Sequence, residues 1–167
     1  IIIFWCISKR NRFAHLAIKI IEADSGIDVA LTKRYDTLTK MLDVTKGYAK
    51  HEAEVLESIV KLRTGMSIAE RGTANRQMDE LEAKLSILAE GYPTLKANEN
   101  FKQLQYAISE AEDHLQAARR IYNMNVSAFN QLLASWPASI IGSAMAHSPK
   151  DFFEADEHKK QDVKMDF

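Results

Sequence analysis

The sequence predicts an all-α protein: an antiparallel up-and-down helical bundle with long first and third helices, preceded by the end of a transmembrane helix. Three observations point there. Apolar residues recur at steps of seven over two long stretches, which is the spacing of a helix seam. Only 6 Gly and 3 Pro punctuate 167 residues, a composition that leaves helices uninterrupted. No stretch of useful length alternates apolar and polar residues as a half-buried strand does.

Bulk composition removes several classes of function. With 22 basic against 23 acidic residues, there is no polybasic case for nucleic acid as a partner. The single cysteine, Cys6, excludes an intramolecular disulfide and a cysteine-built zinc site. The length is enough for one domain with a real core. It divides into residues 1–8, residues 9–147 and a tail over 148–167.

Ile1, Ile2, Ile3, Phe4, Trp5, Cys6 and Ile7 form an apolar run that meets the basic cluster Lys9, Arg10 and Arg12. A spanning helix needs about 20 apolar residues. The chain starts at Ile1 rather than at a methionine, so the run reads as the last part of a membrane anchor. A buried helix start is the alternative. Trp5 suits the membrane interface, and cations beside a span favour the cytoplasmic side. The expectation is a single-pass membrane protein with its bundle in the cytoplasm, unless a basic cluster precedes Ile1.

From Phe13 to Leu62 the pattern is helical. The seven-step series is Phe13, Ile20, Ile27, Arg34, Met41, Tyr48, Val55 and Leu62, and only Arg34 breaks its apolar or aromatic character. Companion positions hold Leu16, Ala17, Ala23, Leu31, Leu38, Val44 and Ile59, with Asp24, Thr45 and Glu52 as interruptions. This is a bundle seam rather than a strict zipper. Unbroken, the helix would be roughly 75 Å long, and Gly26 and Gly47 mark where it bends or packs closely. Arg34 in the seam implies a buried carboxylate or a rotated helix. For Arg119 and Arg120, inter-helix pairing with Asp36, Asp43 or Glu52 is the expected use, and an anionic ligand is the alternative.

Thr64 to Thr73, with Gly65, Ser67 and Gly72, reads as a loop. A second, shorter helix follows from about Ala74 to Glu90, with Met78, Leu81, Leu85, Leu88 and Tyr92 on one face. Gly91 closes it, and Pro93 cannot continue it. Asn98 or Asn100 can cap the next helix. That helix runs from about Glu99 to Ser135, on the series Phe101, Ile108, Leu115, Tyr122, Phe129 and Trp136. Asn125 is the polar member of its companion series and either fixes register in the seam or faces solvent. Pro137 stops the helix. The small apolar stretch over 138–146 forms a closing helix or a docked strap. The tail, with Phe152, Phe153, Met165 and Phe167 among charges, reads as mobile or partner-dependent.

The chain offers little chemistry. It has no glycine-rich phosphate loop and no nucleophile elbow. His51-Glu52 begins like a zinc-protease motif, but Val55 stands where the second histidine belongs. Glu110 and His114 share a helix face, which is far more often a surface contact than a metal site. Arg119-Arg120 can pair between helices or bind an anion. The expectation is no catalytic residue, no metal and no cofactor.

Three segments resemble the LemA family of bacterial membrane-anchored proteins. The first is Lys33-Arg34-Tyr35-Asp36 with Gly47, Tyr48, His51 and Glu52. The second is Tyr92, Pro93, Leu95, Asn98, Glu99, Asn100 and Phe101, continuing to Leu104-Gln105. The third is Arg119, Arg120, Tyr122, Asn123, Phe129, Asn130 and Pro137, and the tail segments 152–154 and 166–167 are also similar. The resemblance implies an N-terminal anchor in the bacterial inner membrane followed by an antiparallel helical bundle, and it carries no catalytic activity. Where the family often has Ile-Pro-Asn after the Arg-Tyr-Asp element, this chain has Leu38-Thr39-Lys40. Without that proline, a straighter first helix is expected from Asp28 to Asp43.

The functional expectation is a membrane-anchored, non-catalytic scaffold that self-associates through its long helices, so its partners are membrane lipid and further copies of itself. The alternative is an adaptor for another membrane protein, such as a protease or sensor, docked through the Phe-rich tail. A metal-dependent enzyme stands a distant third.

Overall fold

A computed structural model describes residues 1–56 and 66–153, with the backbone alone over 54–56. The described residues are mainly helical and contain no strand. The helices are α1 (Ile2–Lys46), α2 (Lys50–Leu56), α3 (Ile68–Gly91), α4 (Pro93–Ala97), α5 (Glu99–Ala134) and α6 (Ala138–Ala144). No helix among the described residues is long and apolar enough to cross a membrane.

The N-terminal run does not fold as a separate element. It is the first turns of α1, with Ile1 to Phe4 exposed. At its far end α1 stops at Lys46, earlier than the seam pattern implies. Gly47 and Tyr48 turn the chain, their amides donating to Val44 at 3.2 Å and Thr45 at 2.9 Å. The side chain of Thr45 donates to the Met41 carbonyl at 2.8 Å, a local bond that competes with helix geometry. Tyr48 therefore leaves the seam and is exposed. The seam positions Ile59 and Leu62 lie outside the described residues, as does the side chain of Val55. Through Leu38, Thr39 and Lys40 the helix is unbroken.

The second long correction is at α3, which starts at Ile68 and not near Ala74. Ser67 and Glu70 form a reciprocal capping box. The Glu70 amide donates to Ser67 Oγ at 3.3 Å and the Ser67 amide to Glu70 Oε2 at 2.7 Å. This pairing satisfies orphan donors of the first turn, and Gly72 is carried inside the helix. The predicted loop positions Thr64 and Gly65 lie outside the described residues.

The described residues fall into two compact units. The first comprises 1–30 and 113–152. There α1 and α5 run antiparallel around Phe13, Ile20, Ile27, Leu115, Tyr122, Val126 and Phe129, all buried. Phe13 and Phe129 meet edge-on with ring centroids 5.7 Å apart. Asn125 is buried and its amide reaches the Lys19 carbonyl at 3.4 Å, so it belongs to the seam and not to the solvent face. Gly142 of α6 sits so close to Leu133 and Phe13 that a Cβ there would collide with them.

The second unit comprises 31–112 with Phe153. Its core is Leu31, Leu38 and Met41 from α1, Met78, Leu81 and Leu85 from α3, Leu95 from α4, and Phe101 and Ile108 from α5. Like Tyr48, Trp136 of the first unit fails as a seam residue: it is 82% exposed. The reason is local. α5 ends at Ala134, and Pro137 forbids the turn that would have brought Trp136 into phase.

Candidate functional site

Arg34 is the residue around which the polar chemistry of the second unit is built. It stands in the apolar seam of α1 and is 2% exposed. Burying a guanidinium is costly unless it is paired and hydrogen-bonded. α3 supplies most of the partners. Asn75, Asp79 and Glu82 follow steps of four and three, so they share one helix face. Asn75 Oδ1 accepts from Nη1 at 2.7 Å. Asp79 lies 2.6 Å and Glu82 2.8 Å from Nη2. Glu112 of α5 lies 3.0 Å from Nη1. One side chain thus ties α1, α3 and α5 together. Burial alone would lower the guanidinium pKa. The Glu82 hydrogen bond and the charges of Asp79 and Glu112 outweigh it and hold the pKa above the ordinary value.

Of the two readings for Arg34 in the seam, carboxylate pairing is the one found; the carboxylates expected for Arg119 and Arg120, namely Asp36, Asp43 and Glu52, lie elsewhere. Asp43 instead faces Lys46 at 3.4 Å on its own helix, Asp36 is exposed, and Glu52 serves a different contact. A seam arginine is recognisable from sequence, but its acceptors flank the apolar face of α3 rather than lying on α1. Beside the cluster, Lys33 and Glu110 form an exposed ion pair at 3.0 Å. Glu110 therefore faces Lys33, and no group of three or more His, Cys, Asp or Glu among the described residues is placed to hold a metal ion.

The second polar joint gathers two of the sequence segments. Tyr92 donates through its hydroxyl to Glu52 Oε1 at 3.0 Å. Asn98 donates through Nδ2 to the Tyr48 hydroxyl at 2.9 Å. The same Asn98 accepts the Phe101 amide at 3.1 Å and so caps α5. Asn100 is exposed. Gly47 provides the turn that brings Tyr48 and Glu52 to this place, Pro93 begins α4, and Leu95 and Phe101 are fully buried beneath. The Glu52 carboxyl is held below its ordinary value by its own backbone amide and then by the Tyr92 hydroxyl. Tyr92 is pushed up, chiefly by the hydrogen bond to that carboxylate.

The third joint lies in the first unit. The Tyr122 hydroxyl donates to the Asp151 carbonyl at 3.1 Å. Asn130 and Lys150 exchange two bonds: Nδ2 to the Lys150 carbonyl at 2.9 Å, and the Lys150 amide to Oδ1 at 2.8 Å. Phe129 packs on the His147 ring with centroids 5.2 Å apart. The segment 147–151 is therefore fastened to α5, and Phe153 is buried. That corrects the mobile reading for 148–153; Met165 and Phe167 lie outside the described residues. Of the remaining third-segment positions, Arg119 is buried, Asn123 is half-buried and Arg120 is exposed. Tyr35 is half-buried on α1.

Each segment singled out in the sequence therefore makes an architectural contact. The residues missed by sequence reasoning are the acceptors Asn75, Asp79, Glu82 and Glu112, and the strap residues His147 and Lys150. Both guanidinium Nη atoms are occupied by protein groups, so the cluster positions helices and leaves no donor pair for a ligand.

The family model described as LemA family matches residues 23–167. Protein LemA of Metamycoplasma hominis is 28% identical over 165 residues, 96% of this chain and 75% of that relative.

Proposed function

The chain belongs to the LemA family, and from that premise we propose that it is a membrane-anchored, non-catalytic scaffold of the bacterial cell envelope that self-associates through α1. One observation carries the reading. Along α1, Ala14, Ile18, Ile21, Ser25 and Val29 succeed one another at steps of three and four and all are exposed; Ile21 and Val29 are 68% and 67% exposed. Such a row on a helix surface favours a helical partner. The exposed residues Ile1 to Phe4, at the start of the same helix, favour a lipid environment. The polar groups of the three joints hold elements of the fold together, which supports a structural role over a catalytic one.

Size measurement by multi-angle light scattering, on protein extracted in mild detergent, tests the proposal. A defined oligomer is expected, and Ile18→Asp combined with Ile21→Asp should reduce it to monomers. Strictly monomeric wild-type protein would reject self-association.

A further inference from the structure

We infer that the first unit carries a binding site for the anionic headgroup of a membrane phospholipid, in the groove between the start of α1 and the end of α5. The groove has a volume of about 350 Å³ and is lined by Trp5, Lys9 and Arg12 on one side and by Gln131, Ser135 and Trp136 among others on the other. No carboxylate lines it. Both tryptophans of the chain therefore meet at one groove, although they are far apart in sequence.

The charged donors available to a ligand are the two cations. Ser135 Oγ donates to the Gln131 carbonyl at 2.6 Å, and Gln131 Nε2 donates to Ser127 at 3.1 Å. Lys9 and Arg12, by contrast, form no ion pair with any described residue. Lys9 Nζ lies over the Trp5 ring, 5.7 Å from its centroid. Lys33 is matched with Glu110, Lys84 with Glu80, and Arg34 with its carboxylates. Two unmatched cations around an open groove are complementary to a phosphate group.

The source of that phosphate follows from the neighbouring residues. Trp136, 82% exposed, has an apolar body and one N–H, the combination enriched at membrane interfaces. Ile1 to Phe4 are exposed on the same helix, and Phe4 and Lys9 are separated by roughly 7.5 Å of helix rise. That spacing matches an apolar segment buried about 5–10 Å into the acyl boundary with its cations at the headgroups. The inference takes the membrane placement proposed above as its starting point, and goes beyond it by assigning a headgroup charge and named residues.

The test is co-sedimentation of the purified chain with vesicles of phosphatidylcholine alone, and with vesicles containing about one quarter phosphatidylglycerol. Binding to both is expected, with a clear excess on the anionic vesicles. Lys9→Gln combined with Arg12→Gln should weaken the anionic binding roughly thirtyfold, the loss carried by two surface cations, and leave neutral binding unchanged. Arg10→Gln combined with Lys19→Gln changes net charge equally outside the groove and should retain most of the excess. Equal loss in both double variants would mean diffuse attraction and would overturn the groove. Binding to neutral vesicles with no anionic excess would overturn the site while leaving membrane attachment standing. No binding to either would remove both. Inorganic phosphate titrated against tryptophan fluorescence separates the sources: saturation as tight as for the anionic vesicles would reject the lipid in favour of a free anion.

Discussion

Arg34 of α1 and Glu112 of α5 meet at 3.0 Å in the interior of the second unit, and Arg34 is the cation on which Asp79 and Glu82 also converge. The carboxylates retain between 22% and 37% side-chain exposure, so the guanidinium is the deeply desolvated member. Removing it leaves carboxylates crowded without their counter-ion. Arg34→Met is expected to destabilise the protein by about 3 kcal/mol, the lower part of the range for breaking a buried pair. Partial water access to the carboxylates sets that lower figure. Urea unfolding followed by circular dichroism measures it. A loss below about 1 kcal/mol would place Arg34 among surface ion pairs and remove its role in joining the helices.

The Glu52–Tyr92 bond predicts a pH dependence of its own. The carboxyl of Glu52 is depressed from its ordinary value of 4.5. Its contribution is therefore present above that value and is lost as pH falls through the lower folded value. The hydroxyl of Tyr92 is raised from 10.0. Its contribution is present below that value and is lost as pH rises through the higher folded one. Tyr92→Phe should remove the alkaline arm and shrink the acid arm, while the backbone amide of Glu52 preserves part of the latter. Thermal midpoints across the pH range decide it: identical profiles for the wild type and the variant would mean the bond adds nothing in solution.

The helical architecture was legible because its signal is redundant. Phe101, Ile108, Leu115, Tyr122 and Phe129 each mark the same face, so one misread position changes nothing. The ends were less legible because each rests on a few atoms. Ser67 and Glu70 carried a readable capping box, yet the nearby Gly65 and Gly72 favoured a loop reading. Gly47 alone does not announce a helix end, and the side chain of Thr45 contributes only once the turn exists. Trp136 continued the series numerically, but Pro137 ends its phase. The candidate site was half legible: Arg34 was visible as an anomaly, and Asn98 as a cap. The acceptors on α3 were not, because Asn75, Asp79 and Glu82 look like an ordinary solvated flank until a cation is placed opposite them.

The fastening of the segment after α6 gives the last prediction. Asn130 accepts the Lys150 amide at 2.8 Å and donates to its carbonyl at 2.9 Å, while Tyr122 holds the next carbonyl, that of Asp151. A segment read from composition alone as mobile is thus held by side chains of a rigid helix. Asn130→Ala removes both bonds to Lys150 and leaves the Tyr122 contact. A net hydrogen bond contributes about 1 kcal/mol, so the Lys150 amide should exchange with solvent roughly fivefold faster or more in the variant. Amides in the middle of α5 should be unaffected, because the Asn130 side chain is only half-buried. Hydrogen exchange read by NMR measures both. Unchanged protection at Lys150 would mean that packing around Phe129 and His147 holds the strap; faster exchange confined to it would assign the fastening to Asn130.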